Sequence, residues 1–246
     1  MTELYDTIGV NYANLRQADP RIAAQIDDAL GTAKRVVNVG AGAGSYEPAG
    51  REVTALEPSA QMIAQRSPTA AAAVQGSAEA LPFDDNTFDA AMALLTIHHW
   101  PDKPRGVGQM CRVATDRVLF LTYDPEFRGL WQMDYFPQLT ELDDGNMPSM
   151  SEFAGWLGDA VEICDVHVPW DCSDGFLYAF WRRPAAYLDA RIRAGISAFW
   201  AIDGVDDGVA CLQADLASGA WEARYGDDLL SRETLDCGYR LVAAQL

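Results

Sequence analysis

In the first half of the chain, short continuous apolar runs alternate with amphipathic stretches, and turn residues separate the two. Val36, Val37 and Val39, after the solvated pair Lys34-Arg35, read as a short, fully buried strand. Val53-Thr54-Ala55-Leu56 predicts a second strand that ends at Glu57, and Ala71 to Gln75 a weaker, alanine-rich third. Ala90 to Ile97 is a continuous apolar run, the best candidate for a central strand after the first, and Arg117 to Tyr123 predicts another. Between these runs the period changes to that of a helix. Asp19 as N-cap and Pro20 at the first helical position open a helix through Leu30 that Gly31 stops, with Ile22, Ile26, Ala29 and Leu30 on one face. A second helix is predicted from Pro58-Ser59 to Arg66 and a third over residues 104–114. Only Ser45 to Gly50 separates a glycine loop from the second strand, and Pro48 and Gly50 leave room for about one helical turn there.

Strands alternating with helices through residue 124 are the signature of a parallel sheet with helical crossovers. Beyond that point the pattern changes. Residues 125–159 and 173–234 are rich in aromatics, among them Trp131, Phe136, Phe176, Tyr178, Trp181, Tyr187, Phe199 and Trp221, and residues 185–230 read as helical. Residues 161–168 alternate as a strand does, and so do Tyr239 to Ala243.

Composition sharpens the functional question. The chain has 246 residues, 49% hydrophobic and 22% charged, enough for one α/β domain with insertions. Its formal charge of −18, with Lys34 and Lys103 as the only lysines, argues against a nucleic-acid or anionic-membrane surface. Five scattered cysteines without a C-x-x-C pair read as reduced thiols, and no cluster suggests a metal site. No apolar run approaches a membrane span of about 18 residues, so a cytoplasmic location is expected.

The candidate chemistry gathers where the first two strands end. Gly40, Gly42 and Gly44 alternate directly after the first strand, where bare backbone lets a ligand lie close. Glu57, thirteen residues after Gly44, would end on the same sheet edge, placed to accept hydrogen bonds from both hydroxyls of a ribose. As a strand-end carboxylate facing water it should have little packing role. Tyr12 and Arg16 are four apart and share a face if helical. They either cover a ligand or are a half-buried tyrosine beside a solvated arginine. His98 and His99 follow the apolar run, and His167 lies in the alternating segment, where packing or a surface position suits it better than catalysis.

Together these pieces resemble the class I S-adenosylmethionine-dependent methyltransferases, in particular the small-molecule branch called type 11 or ubiquinone-biosynthesis-like. The resemblance covers residues 1–124. Val36 to Gly44 with Ala41 looks like the first motif, Leu56-Glu57-Pro58-Ser59 like the acidic end of the second strand, and Ala78 to Phe83 like the family's characteristic loop. Phe88-Asp89 looks like the start of the fourth strand, and Tyr5 to Arg16 like a lid over the methionine moiety. The resemblance implies a doubly wound α/β fold with a seven-stranded, mostly parallel sheet, Rossmann-like, whose last strand is antiparallel. It makes 1–124 the donor-binding core, completed by strands near 161–168 and 237–246, with 125–159 and 173–234 as a mainly helical, aromatic-rich cap on the substrate side. The implied cofactor is S-adenosyl-L-methionine, with S-adenosyl-L-homocysteine as product. Tyr12, Arg16, Gly40, Ala41, Gly42, Glu57, Pro58, Met62, Ser77, Ala78, Glu79 and Leu94 are the implied cofactor residues, and Met62 and Leu81 would sandwich the adenine. Two departures stand out. The span from Gly40 to Glu57 is short, and Ser77 stands where relatives place an aspartate on the adenine amino group.

A nicotinamide oxidoreductase fits less well, because the spacing is G-x-G-x-G and Pro48 breaks the helix that would face a pyrophosphate. The expected reaction is methyl transfer to a small, apolar or aromatic acceptor, with O- or C-methylation favoured. A tRNA-modifying enzyme and a non-catalytic S-adenosylmethionine-binding protein are the alternatives. His99 is the candidate general base. Consecutive residues leaving a strand point in opposite directions, so His98 should pack away from the site.

Overall fold

Seven strands form one sheet in the order β3-β2-β1-β4-β5-β7-β6. The computed structural model describes residues 16–158 and 160–246. Strands β1 (Arg35–Val39), β2 (Glu52–Glu57), β3 (Ala73–Gln75), β4 (Phe88–Leu94) and β5 (Ala114–Tyr123) pair in parallel. Strand β7 (Thr234–Gln245) runs antiparallel between β5 and β6 (Val161–Pro169). From β1 the chain winds outward to β2 and β3, then returns to lay β4 and β5 on the other side. The reversal leaves a crevice at the carboxyl ends of β1 and β4, the place where open α/β sheets bind ligands.

Side-chain alternation gives the sheet two buried faces. Val36, Ala90, Met92, Leu119 and Leu121 pack with Ile22 and Ile26 of α1 (Pro20–Ala29) and with the aromatic insertions. Val37, Val39, Ala91, Ala93, Val118 and Phe120 pack with Val107, Met110 and Val113 of α3 (Lys103–Val113) and with Phe153. Asp19 caps α1 as expected, accepting from the Arg21 amide at 2.9 Å, and Ser59 caps the short helix α2 (Ala60–Ala64).

Three expectations change. No helical turn forms between β1 and β2, since residues 40–51 are all turns and coil. Strand β4 stops at Leu94 rather than Ile97, because Leu95 takes a left-handed φ of 53° and Ile97–His99 coil into a 3₁₀ turn. The segment 185–230 is helical only in pieces. A 3₁₀ turn (Pro184–Leu188) leads to α7 (Ala190–Ala194), α8 (Ala198–Ala201), α9 (Val205–Ser218) and a π turn (Glu222–Gly226) that runs into α10 (Asp227–Leu229). Gly195, Gly204 and Gly219 sit at the breaks.

Helices α4 (Gln132–Tyr135), α5 (Gln138–Asn146) and α6 (Met150–Leu157) lie between β5 and β6. Trp131 makes edge-to-face contacts at 5.5 Å with both Tyr187 and Trp221, and its indole donates to the Trp181 carbonyl at 2.7 Å. Such aromatic pairs contribute about 0.5–1.5 kcal/mol each beyond their area. Trp131, Phe136, Trp181, Tyr187 and Trp221 are therefore core. Strand β6 is the sheet edge, and residues 162–165 and His167 are exposed.

Candidate active site

The glycine loop after β1 is held by side chains where a helix would otherwise hold it. Gly40 and Gly42 have φ of 72° and 52°, and a Cβ at Gly40 would lie 2.2 Å from Thr96 Oγ1, so only glycine fits there. Arg66, just beyond α2, pairs with Glu47 inside the loop; their side chains are 5% and 8% exposed. The same guanidinium donates to the Gly42 carbonyl at 2.9 Å and to the Ala71 carbonyl at 3.0 Å, while Glu47 accepts from the Ala71 amide at 3.0 Å. Glu47 and Arg66 were not site candidates in the sequence.

Glu57 does not face water. It is 7% exposed, and its two carboxylate oxygens accept from the Gly42 amide at 2.8 Å and the Ser59 amide at 3.0 Å. Burial pushes its pKa up, and those two amides and Arg66 oppose the shift. The expectation of little packing role was wrong, because Glu57 ties the glycine loop to the start of α2. Each oxygen keeps a free lone pair toward the cleft.

A cavity of about 310 Å³ opens between these elements. Gly40, Ala41, Gly42, Glu57, Pro58 and Met62 line it from the first two strand ends. Ser77, Ala78 and Glu79 line it from the loop after β3, and Leu94 and His99 from the end of β4. Arg16 reaches it from the N-terminal side, whereas Tyr12 lies outside the described residues. Leu81 does not line the cavity. It is 5% exposed in the core beside Ala78 and Val107, so it cannot stack on a ligand there. Asn38, Tyr46 and Leu95, which were not site candidates, also line the cleft, as does Thr96 from the end of the apolar run, where an acceptor was expected to approach.

A second cavity, of about 270 Å³, adjoins the first, and Arg16, Leu95 and His99 line both. Its walls bring Tyr123 and Tyr239 from the sheet together with Phe176 and Tyr178 from the segment after β6 and Asp143 from α5. The rest of the lid-like segment, residues 5–15, lies outside the described residues, and Arg16 is not a solvated arginine. Its guanidinium grips Asp174, which is fully buried, at 2.7 and 3.2 Å, and its carbonyl accepts from Ser45 at 3.0 Å. The ion pair fixes Arg16 between the two cavities.

The histidines do not point in opposite directions. Successive residues of a 3₁₀ turn are about a third of a turn apart, and the two rings lie 3.8 Å apart at 49°. His99 lines both cavities and His98 only the second. Neither titrates near neutrality. Burial, then Lys103, lowers His99 to about 4, and burial, then His99, holds His98 well below its usual value. Both histidines are partly buried and line the cavities.

The fold and the cleft define a nucleotide-type donor site next to an aromatic-lined cavity, and comparison with known proteins agrees. Residues 37–121 match the model of a methyltransferase domain. A solved structure from Anabaena variabilis, described as a "putative methyltransferase from antibiotic biosynthesis pathway", is 33% identical. The match covers 94% of this chain and 99% of that one, with a TM-score of 0.88. The chain belongs to the S-adenosylmethionine-dependent, class I methyltransferases. A SAM-dependent methyltransferase of Thermotoga maritima shares the fold over the whole chain and 99% of its own, with a TM-score of 0.62 at 14% identity. Rice 2-methyl-6-phytyl-1,4-hydroquinone methyltransferase 2 is 29% identical over 87 residues, 35% of this chain and 24% of that protein. The chain thus spans about a quarter of that relative's length.

The residues of the first cavity fit the family's donor. Asn38 Oδ1 and Glu79 Oε1 are buried acceptors without a partner, and both residues line the cavity. S-adenosylmethionine carries amino groups that such acceptors can receive. Of the two residues from the loop after β3, Ser77 is exposed and Glu79 is partly buried.

Proposed function

We propose that the chain methylates a small molecule with an apolar or aromatic body, held in the second cavity while the donor occupies the first. The observation that carries this reading is the meeting of the two cavities at Arg16, Leu95 and His99. Gly40, Ala41 and Gly42 would receive the methionine half against bare backbone, Glu57 the ribose hydroxyls, and Pro58, Met62, Ala78 and Glu79 the adenine, with Leu94 beside the strand end. S-adenosylmethionine supplies an already activated methyl group on its sulfonium. The protein's main task is then to hold the acceptor in line and exclude water.

His99 is neutral at physiological pH and can accept a proton, but with a pKa of about 4 it draws one weakly. That favours acceptors whose proton is already acidic, such as a phenol hydroxyl or an activated carbon, hence O- or C-methylation. Residues 125–159 and 173–234 supply the acceptor side, as Asp143, Phe176 and Tyr178 do in the second cavity. An RNA acceptor is disfavoured by the charge of −18. The test is calorimetry with S-adenosylhomocysteine and with NAD, followed by transfer of labelled methyl from S-adenosylmethionine to a panel of phenols and carbon acids. Binding of NAD in place of S-adenosylhomocysteine would overturn the reading. Donor binding with no transfer to any acceptor would favour a non-catalytic S-adenosylmethionine-binding role.

A further inference from the structure

We infer that the methyl acceptor carries a basic amine and that Asp143 is the residue that receives it; the inference rests on the second cavity being the acceptor site. Asp143 is 5% exposed and lines that cavity. Among the described residues no cation pairs with it. The nearby Arg128 is engaged with Asp144 at 2.8 Å, and among the described residues the Asp143 carboxylate accepts one hydrogen bond, a long one from the Tyr178 hydroxyl at 3.5 Å. A second, independent observation points the same way. The Tyr123 hydroxyl, on a residue 2% exposed in the wall of the same cavity, makes no hydrogen bond of good geometry among the described residues; its polar neighbour is the Tyr178 hydroxyl, which is already directed at Asp143. Buried polar groups are ordinarily satisfied, and a buried carboxylate is ordinarily paired. A ligand bearing an ammonium group would supply what both lack, because it donates several hydrogen bonds and carries the missing charge.

The rest of the cavity suits such a ligand. Phe176 and Tyr239 rings lie 4.7 Å apart, and Tyr123 and Tyr178 rings 5.3 Å apart. Aromatic faces attract an ammonium group. Among the described residues the one cation in the lining, Arg16, is already matched by the bidentate grip on Asp174. His98 and His99 are neutral near pH 7, so they do not repel a cation. The overall charge of −18 draws cations toward the chain and keeps anions away. Asp143 lines the second cavity only, so the amine is an anchor and the methylated atom is another atom of the acceptor.

The experiment is calorimetry on the protein saturated with S-adenosylhomocysteine. Benzylamine, phenethylamine and tryptamine are each titrated against the alcohol that replaces the amine by a hydroxyl. At least one amine should bind about tenfold or more tighter than its alcohol, the difference expected for a charge-assisted bond. Asp143→Asn, which keeps the side chain's shape, should abolish that preference while S-adenosylhomocysteine binds as before. The inference is overturned if no amine is preferred, if neither series binds, or if the preference survives in Asp143→Asn. Failure of S-adenosylhomocysteine itself to bind would instead remove the methyltransferase reading beneath it.

Discussion

Replacing Arg66 with methionine tests whether an ion pair has taken over the work of a missing helix. Arg66 and Glu47 are almost wholly buried, and the guanidinium also holds the carbonyls of Gly42 and Ala71 at 2.9 and 3.0 Å. Arg66→Met leaves the Glu47 carboxylate with only two neutral donors to offset its burial, the Ala71 amide at 3.0 Å and the Asn38 side-chain amide at a long 3.5 Å. Removing one partner of a buried pair costs about 3–5 kcal/mol. Against a typical domain stability of about 5–15 kcal/mol, that is a large fraction. The Gly42 carbonyl loses its tether as well, and S-adenosylhomocysteine affinity should fall about tenfold, ~1.4 kcal/mol. Adding Glu47→Gln removes the stranded charge, so the double variant should be more stable than Arg66→Met alone, with a coupling of about 0.5–3 kcal/mol. Urea denaturation followed by tryptophan fluorescence gives the stabilities, and calorimetry gives the affinities. An Arg66→Met protein within about 1 kcal/mol of the parent and with normal S-adenosylhomocysteine binding would refute the argument.

Three further outcomes are expected. Glu57→Ala should weaken S-adenosylhomocysteine binding at least about tenfold and also lower stability by about 1.5–3 kcal/mol, because the Gly42 and Ser59 amides lose a charged acceptor; an unchanged denaturation midpoint would contradict the second part. His99→Ala should lower turnover up to about 100-fold if the ring takes a proton, and the parent's rate should fall on the acid side near pH 4 rather than near 6.5. A neutral-range inflection that His99→Ala abolishes would show that burial does not depress this imidazole. Burial raises the Asp143 carboxyl from 3.8 to about 7, with Tyr178 and Arg128 opposing the shift and Asp144 adding to it. The folded state then holds this proton more tightly than the unfolded chain, so its contribution is full below about pH 4 and is lost as pH rises through about 7. Ligand-free Asp143→Asn should therefore exceed the parent in stability at pH 8 by up to about 4 kcal/mol and lose that advantage near pH 4. Denaturation at both pH values would expose an absent difference.

What could be read in the sequence was local. Asp19-Pro20, the valines of β1, the glycines behind them and Glu57 carry their signals within a few positions, and each lies where those signals put it. The supports of the site are distant in sequence. Arg16 meets Asp174 across 158 positions and Arg66 meets Glu47 across 19, and no periodicity announces such pairs. Strand geometry misled the placement of the histidines because Leu95 adopts a backbone conformation that ends β4 early, which apolarity alone does not signal. The same limit explains Leu81, whose helix-side packing depended on where α3 would lie.

Strand β7 follows β6 in the chain yet lies between β5 and β6, with Gln245 opposite Arg117 and Ala244 opposite both Val118 and Val161. Until residues 234–245 leave the ribosome, β5 has an unpaired edge that opens on a strand-sized gap, and β6, which pairs with β7, has no partner in the sheet. Any other extended segment could fill that gap, from a neighbouring nascent chain included. The cap segments between β6 and β7 would meanwhile have only half a wall to pack against, since Tyr239 and Leu241 belong to the late strand. Maturation of the acceptor chamber is thus tied to the last step of sheet closure, so shortened products ending before β7 would lack it and be prone to aggregate.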